Sequence, residues 1–185
     1  MKNYLQIYIV KLVESLNLLD FKKIDLLIRL IKKTWKKSGV GYLCGNGGSA
    51  ANAIHLANDF LYGVGKKKGI GIKVEALSAN SSVITCLAND ISFDYIFSEQ
   101  IRVKGTKNDI LIPLSGSGNS KNIILAIKMA LKKNMNVFPI LGYDGGKSKK
   151  ISKNYIHVPI NDMQISEDMQ LIVGHICMQK LSKII

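Results

Sequence analysis

Cysteine is scarce in this chain of 185 residues, and long apolar runs are missing from it. The three cysteines, Cys44, Cys86 and Cys177, lie far apart and form no C-x-x-C pair, which excludes a disulfide framework and a thiolate zinc knuckle. The longest uncharged stretch, residues 38–58, is rich in Gly, Asn and Ser, and the amino terminus lacks a continuous apolar segment. We therefore expect a cytoplasmic protein without a membrane span.

Acidic residues and arginine are also in short supply. There are 26 basic and 13 acidic side chains, a formal net charge of +13, yet Arg29 and Arg102 are the only arginines. Proteins that bind nucleic acids rely on arginine together with aromatic stacking, whereas lysine pairs are spread here over nearly every segment. We interpret the lysines as a solvated surface and expect no nucleic-acid partner despite the charge.

Residues 3–38 show the apolar spacing of two successive helices. Steps of three and four link two sets of apolar residues: Leu5, Ile9, Leu12 and Leu16, then Ile24, Leu27, Ile28, Ile31 and Trp35. Asp20 is placed to cap the second helix, and Gly39 to end it. Because this hairpin has no sheet of its own to cover, we expect oligomerisation through it.

From residue 40 onward, short apolar runs alternate with glycine-rich turns and helical periodicity, which is typical of an α/β fold. The length predicts one domain, residues 1–185, made of a helical pair over 1–38 and an α/β core over 39–185. Five strands are predicted near 40–44, 70–75, 109–114, 136–141 and 155–159. Five helices are predicted near 49–62, 81–88, 93–104, 120–133 and 166–183. Continuous apolar runs favour a mostly parallel sheet, although Pro113 casts doubt on the end of the third strand, and residues 143–147 are predicted to form a turn.

Two strand-loop-helix junctions are rich in glycine and serine. They are Gly45-Asn46-Gly47-Gly48-Ser49 and Ser115-Gly116-Ser117-Gly118-Asn119-Ser120. Such loops present backbone N–H groups and hydroxyls beside the positive end of a helix, and this suits a phosphate. Glycine and serine also occur simply in tight turns, but two such loops favour anion binding. Neither loop matches a P-loop or a G-x-G-x-x-G fingerprint.

Histidine and carboxylate residues form two helical pairs. His55 and Asp59 are four residues apart on one helix, and Glu167 and His175 are eight apart on another. Such pairs bind a divalent metal or transfer protons, and they also occur as structural hydrogen bonds or ion pairs. Asn89-Asp90 is suited to bind a polyhydroxylated ligand or to cap a helix. His157, on a predicted strand, is interpreted as structural.

Together these pieces resemble the sugar isomerase (SIS) fold and, within it, the phosphoheptose isomerases, which interconvert sedoheptulose 7-phosphate and D-glycero-D-manno-heptose 7-phosphate. The segments that carry the resemblance are CGNGGSAANAIHLANDF (44–60), ALSANSSVITCLANDISFDYIFSEQI (76–101), DILIPLSGSGNS (109–120), LGYDGGK (141–147) and EDMQLIVGH (167–175). The resemblance implies a three-layer fold with a five-stranded, mostly parallel sheet, preceded by oligomer-forming helices that build a homotetramer.

The resemblance also implies a set of site residues. Substrate contacts are implied at Asn46, Gly47, Gly48, Ser49, Asn89, Asp90, Ser115, Gly116, Ser117, Ser120 and Glu167. Zinc or another divalent metal would be held by His55, Asp59, Glu167 and His175, and the acid/base pair falls on Asp59 and His175. The chain departs from the family at Asp59, where the family has Glu, at Glu167, where it has Gln, and at Gly116, where it has Thr.

The function implied is aldose-ketose isomerisation of a phosphorylated sugar, with the product used for heptose in capsule or lipopolysaccharide. One alternative is a non-catalytic adaptor resembling the SIS proteins that bind the replication initiator, since Ala50-Ala51-Asn52-Ala53 is reminiscent of that branch. His175 opposes this alternative, because the adaptor branch has lost a histidine there. A phosphosugar sensor without turnover is a third hypothesis.

Overall fold

Helices and strands alternate along most of the chain. The structure, a computed structural model, describes residues 2–66 and 69–185. Within these residues the α-helices are α1 Lys2–Asn17, α2 Phe21–Lys36, α3 Gly48–Asn58, α4 Ser81–Asp90, α5 Ser98–Lys104, α6 Lys121–Lys132, α7 Gly146–Ile151 and α8 Met163–Ile184. The strands are β1 Gly41–Cys44, β2 Val74–Ala76, β3 Ile110–Ser115, β4 Asn136–Val137, β5 Ile140–Leu141 and β6 Ile156–His157. A π-helical turn, Asp59–Gly63, follows α3, and a 3-10 turn, Phe93–Tyr95, precedes α5.

The strands form one sheet in which every recorded pairing is parallel. Its order is β2-β1-β3-β5-β6, and β4 pairs with β3 beside β5. The register places Ile112-Pro113 opposite Phe138-Pro139, and this gap separates β4 from β5. The two short strands therefore occupy one position in the sheet. The five-stranded parallel sheet predicted from the sequence is confirmed. Strand β3 continues through Pro113, because the N–H group that proline lacks would face the gap between β4 and β5, where no hydrogen bond of the sheet is lost.

Both faces of the sheet are covered by helices, giving three layers. Ile110, Ile112 and Leu114 of β3 pack with α2, α3 and α8, whereas Leu111 packs on the other face with α5 and α6. This alternation follows from the two-residue period of a strand, and burial on both faces explains why β3 is apolar throughout. The predicted three-layer α/β fold is therefore confirmed.

The N-terminal helical pair is buried unequally. Helix α2 begins after Asp20, whose carboxylate accepts hydrogen bonds from the N–H groups of Lys22 and Lys23, as expected of an N-cap. The apolar face of α2 lies in the core, but Leu5 and Ile9 of α1 are 63% and 49% exposed. Half of the predicted apolar stripe of α1 is thus left uncovered by the rest of the chain.

The structure differs from the sequence-based prediction in three elements. Strand β2 is shorter than 70–75 and begins only at Val74. The turn predicted at 143–147 is present at Tyr143-Asp144, but helix α7 begins within the predicted range, at Gly146. The helix predicted over 49–62 changes to π-helical geometry at Asp59. Among the described residues, none of the helices has the length and apolar character needed to cross a bilayer.

Close packing of α3 against α8 depends on Gly174. A Cβ atom at this position would overlap the side chain of Leu56, which is 1% exposed and so has little room to move. We expect Gly174→Ala to lower the free energy of unfolding by about 1–3 kcal/mol, as overpacking does, measured by urea denaturation. Gly41→Ala is the matched control, because its Cβ would meet only ordinary contacts at 3.7–3.9 Å. Equal stability of the two variants would contradict this account.

Candidate functional site

The two glycine- and serine-rich loops meet at the centre of the sheet. The chain runs from β1 to β2 on one side, and β3 returns to pair with β1 on the other side. The loops that follow β1 and β3 therefore leave adjacent strands in diverging directions. Ligands of open α/β sheets bind in the crevice at such a switch point.

A polar hollow of about 280 Å³ lies between these loops. Nine predicted substrate residues line it: Asn46, Gly47, Gly48, Ser49, Ser115, Gly116, Ser117, Ser120 and Glu167. Ser120 is the N-cap of α6 and its hydroxyl makes no capping hydrogen bond, so this hydroxyl and the N–H groups of Lys121 and Asn122 are available to a ligand, whereas the N–H of Ile123 donates to Asn122 Oδ1. The hollow has the donors and the helix dipole that hold a phosphate.

Two amide side chains tie the loops together, and sequence reasoning missed one of them. Asn46 and Asn122 exchange two hydrogen bonds of 2.9 Å between their side-chain amides. Asn122 is 2% exposed. A second buried amide, Gln170 on α8, donates to the hydroxyl of Ser49 at 3.0 Å and accepts from Asn52 at 3.1 Å. A polar residue on the buried face of an amphipathic helix was the available signal in both cases.

Two distant parts of the chain bring two imidazoles and a carboxylate together. The Nε2 atoms of His55 and His175 are 2.9 Å apart, and Asp59 Oδ2 lies 3.5 Å from the first and 3.4 Å from the second. Helices α3 and α8 pack side by side, so residues 120 positions apart meet. The side chains of His55 and His175 are 49% and 41% exposed, which leaves the group open to solvent.

The geometry of His55, Asp59 and His175 fits a divalent metal. Each residue offers one ligand atom, and these atoms lie within 4.8 Å of one another. Tetrahedral zinc, bound at about 2.0–2.1 Å, holds its ligand atoms about 3.3–3.4 Å apart, close to the spacing seen here. Three protein ligands leave one position free, as in catalytic zinc sites. Asp59 opens the π-helical turn, a distortion that is frequent at functional sites.

Glu167, the fourth predicted metal ligand, does not join this group in the part of the chain that the structure describes. Its carboxylate lies over Gly48 at the start of α3, where a Cβ atom would collide with it. Eight residues of helix, about 12 Å, separate Glu167 from His175 along α8. The structure therefore places Glu167 in the loop hollow. There Met163 fills the space beside Gly116 that a side chain would need.

Asn89 and Asp90 do not line the hollow and do not belong to the group formed by His55, Asp59 and His175. They end α4, are exposed, and hydrogen-bond to each other at 2.8 Å. His157 donates from Nε2 to the carbonyl of Tyr143 and accepts from Lys149 at Nδ1, which agrees with its structural interpretation.

The cysteines are poor metal ligands. Burial raises the pKa of Cys44 and raises that of Cys177 to about 12, while a hydrogen bond to Asp90 raises the pKa of Cys86. A raised thiol pKa leaves little thiolate, the form that binds metals, at neutral pH. The nitrogen and oxygen ligands of His55, Asp59 and His175 therefore remain as the candidate donors.

The fold and the paired loops define a class of protein, and comparison with known sequences agrees. The profile of the SIS domain matches residues 4–142. A phosphoheptose isomerase of Helicobacter pylori (strain Shi470) is 36% identical over 149 residues, covering 80% of this chain and 77% of that protein. One of Clostridium acetobutylicum is 33% identical over 183 residues, covering 95% and 92%. The chain belongs to the phosphoheptose isomerase family of SIS-domain proteins.

Solved structures show the same architecture. Phosphoheptose isomerase GmhA from Neisseria gonorrhoeae superposes with a TM-score of 0.88 at 27% identity, covering 97% of this chain and 98% of that one. A phosphoheptose isomerase from Francisella tularensis superposes with a TM-score of 0.92 at 23% identity, a similarity that concerns the fold. The N-terminal helices lie within these matches, since nearly the whole chain is covered.

The amide pair between the loops can be tested by removing one partner. In Asn122→Leu the amide of Asn46 loses both of its bonds, and leaving a largely buried polar group unpaired costs about 1–3 kcal/mol of unfolding free energy. We expect the double variant Asn46→Leu/Asn122→Leu to lose less than the sum of the two single variants when all are measured by urea denaturation. Additive losses would contradict the coupling of the two loops.

Proposed function

We propose that this protein isomerises sedoheptulose 7-phosphate to D-glycero-D-manno-heptose 7-phosphate. The observation that carries the proposal is the convergence of His55, Asp59 and His175, whose Nε2 and Oδ2 atoms lie within 3.5 Å of one another. His55 lies on α3, the helix that begins at the loop hollow. Membership of the phosphoheptose isomerase family supports the choice of substrate. The convergence of these groups favours an enzyme over a non-catalytic adaptor.

Aldose-ketose isomerisation requires a base and an acid near two neighbouring carbons. In the proposed mechanism the Asp59 carboxylate removes the proton from the carbon beside the carbonyl, and His175 protonates the carbonyl oxygen as the enediol forms. Asp59 then returns the proton to the other carbon, and His175 takes the proton from the hydroxyl on the first carbon, which becomes the new carbonyl. His55, at hydrogen-bond distance from His175 Nε2, exchanges a proton with it and orients the imidazole.

The loop hollow would hold the phosphate of the same substrate. The start of α3 lies at the hollow and His55 lies seven residues further along, a rise of about 10 Å. An open seven-carbon chain spans a distance of this order between its phosphate and its first two carbons. The serine hydroxyls and the N-terminus of α6 would fix the phosphate, and the other end of the sugar would reach Asp59 and His175.

His55, Asp59 and His175 would also hold the divalent metal, for which zinc is the best candidate. A metal bound there would polarise the sugar carbonyl as a Lewis acid. One Nε2 lone pair cannot bind a metal and carry a proton at the same time, so metal-loaded and metal-free protein give His175 different roles. Measuring isomerase activity of the wild type and of His175→Gln, each with and without chelator, separates these roles.

Isomerase activity is the direct test. With sedoheptulose 7-phosphate as substrate and NMR as readout, we expect the aldose to form, and we expect Asp59→Asn and His175→Gln to lower kcat by about 10²- to 10⁴-fold, the usual contribution of an acid or base. His157→Gln is the matched control and keeps its activity, because His157 contacts Tyr143 and Lys149 and not this group. Absence of turnover by the protein, both metal-loaded and chelated, would refute the proposal.

Metal content is measured separately by elemental analysis of purified protein. We expect about one divalent ion per chain in the wild type, and loss of that ion in His55→Gln and His175→Gln, because removing one of three ligands leaves too few. Glu167→Gln serves as the control and retains the ion, since Glu167 lies outside the group of three. Loss of metal in Glu167→Gln, or its retention in both histidine variants, would overturn this assignment.

We further propose that the protein assembles as a homotetramer through its N-terminal helices. Tyr4, Leu5, Ile9 and Val13 of α1 are between 49% and 81% exposed. So much apolar surface on one helix is typical of a face that another chain covers. The isomerase product would be used in the cytoplasm to build the heptose of capsule or lipopolysaccharide.

The assembly is tested by light scattering after gel filtration. We expect Leu5→Glu/Ile9→Glu to dissociate the oligomer, because two charges would be buried in an apolar interface without partners. The variant should still fold, since both side chains are exposed in the single chain. Asn3→Asp/Gln6→Glu adds the same charge on α1 without removing apolar side chains and should keep the wild-type mass. A wild-type monomer would refute the assembly.

A further inference from the structure

A second polar hollow, of about 220 Å³, lies at the other end of the sheet from the serine loops. It is formed where α2 ends and where β3 and β4 begin. The residues that line it are Lys33, Thr34, Lys37, Lys107, Asn108, Asn134 and Asn136. Every one of them is basic or carries a neutral hydrogen-bonding group, and none is acidic.

The three lysines of this hollow are not neutralised by neighbouring carboxylates. Among residues 2–66 and 69–185, no ion pair or hydrogen bond engages the ammonium groups of Lys33, Lys37 and Lys107. The ends of α2 and α6 border the hollow, and each contributes about −0.5 of an elementary charge. Three lysines, the two helix ends and the neighbouring Asp109 carboxylate together leave a local charge of about +1.

Asp109 is the carboxylate next to the hollow in sequence, and it is already satisfied. It is 3% exposed, and it accepts hydrogen bonds from the N–H of Val40 at 2.7 Å and from the N–H and hydroxyl of Thr106 at 2.7 and 2.9 Å. The lone pairs of its carboxylate therefore already accept hydrogen bonds from the loops at this end of the sheet. Within the described residues Asp109 forms no ion pair with the three lysines, and their exposed ammonium groups therefore remain available to an anion from solution.

A buried hydroxyl at the same place lacks a partner. Thr34 is 2% exposed, and its Oγ1 makes no hydrogen bond within the part of the chain that the structure describes. Leaving a buried hydroxyl unpaired is costly, so such a group requires an explanation. The side-chain amides of Asn108, Asn134 and Asn136 around it are likewise without protein partners in the described ranges. The walls thus combine unpaired neutral donors with unpaired cations.

This hollow cannot be part of the sugar site. The serine loop follows Ser115 at the end of β3, whereas Lys107 and Asn108 precede Ile110 at its beginning. Six residues of strand span about 20 Å, and the packed sheet lies between the two ends. A ligand in the second hollow is therefore additional to the sugar phosphate and independent of the isomerase proposal.

We propose that this hollow, formed by the end of α2 and the beginnings of β3 and β4, binds a phosphate or pyrophosphate group. Such a group is multiply charged and accepts hydrogen bonds from lysine, amide and hydroxyl donors alike. A volume of 220 Å³ corresponds to about seven waters and lies below the range of drug-sized ligand sites. The size therefore favours the oxyanion itself or the terminal phosphate groups of a larger molecule that extends into solvent.

Binding of inorganic pyrophosphate is measured by calorimetry at low salt on the full-length protein. The measurement is made on Ser117→Ala/Ser120→Ala, so that pyrophosphate binding at the sugar site is weakened. We expect this variant to bind about one pyrophosphate per chain, in the second hollow. Adding Lys33→Met/Lys107→Met to this background should weaken binding at least tenfold, the loss of two charged hydrogen bonds. Lys128→Met/Lys183→Met removes the same charge from exposed positions of α6 and α8 and should change the affinity less than twofold.

Substitution of Thr34 distinguishes a specific binding site from a surface that attracts anions only by its positive charge. Thr34→Val should weaken pyrophosphate binding by about tenfold without lowering stability, because it removes an unpaired hydroxyl and keeps the shape. Thr34→Ser keeps the hydroxyl and should retain the affinity. Parallel titrations with inorganic phosphate and with adenosine diphosphate show whether the hollow prefers the free oxyanion or the terminal phosphate groups of a larger molecule. The proposal is overturned if pyrophosphate does not bind the serine-loop variant, if both pairs of lysine variants bind alike, or if Thr34→Val binds as Thr34→Ser does.

Discussion

Parallel pairing of β1 with β3 is the constraint on which the rest of this molecule depends. It brings the loops after the two strands to one edge of the sheet, although about 70 residues of chain separate them. Each loop leads into a helix, so two helix N-termini face the same hollow. The Asn46–Asn122 amide pair then fixes the distance between the loops. A hollow lined by hydroxyl and N–H donors follows from this topology together with the glycine and serine residues of the two loops.

The contact between α3 and α8 brings together His55, Asp59 and His175, the group that could hold a metal. Gly174 allows Leu56 to approach the backbone of α8, and the adjacent residues His175 and His55 meet the Asp59 carboxylate. The same helices carry Gly48 and Glu167 to the loop hollow. One interface between two helices thus links both parts of the candidate site, and it can hold them in fixed relation during a reaction.

Particular residues show how far sequence reasoning reached. The apolar spacing of Ile24 to Ile31 and the N-cap Asp20 predicted α2 closely, because period and capping are local properties. The helix at Gly146–Ile151 was missed, since its six residues are too few to show a period. Pro113 suggested an early end to a strand that in fact continues, because the missing N–H falls opposite a gap that only the register reveals. Asn122 and Gln170 were overlooked because a polar residue on the buried face of a helix does not by itself reveal the partner that its amide will bond.

The order of patterns along the chain determined the α/β class, the loops and the residue types able to bind phosphate and metal, since these depend on neighbours a few positions apart. Folding in three dimensions settled which of those residues share a site. It joined His55 and Asp59 to His175, placed Glu167 in the other hollow, and left Asn89 and Asp90 apart from both. The reason is physical: side-chain convergence to within a few ångströms is set by strand order and helix packing, and spacing along the sequence does not encode either.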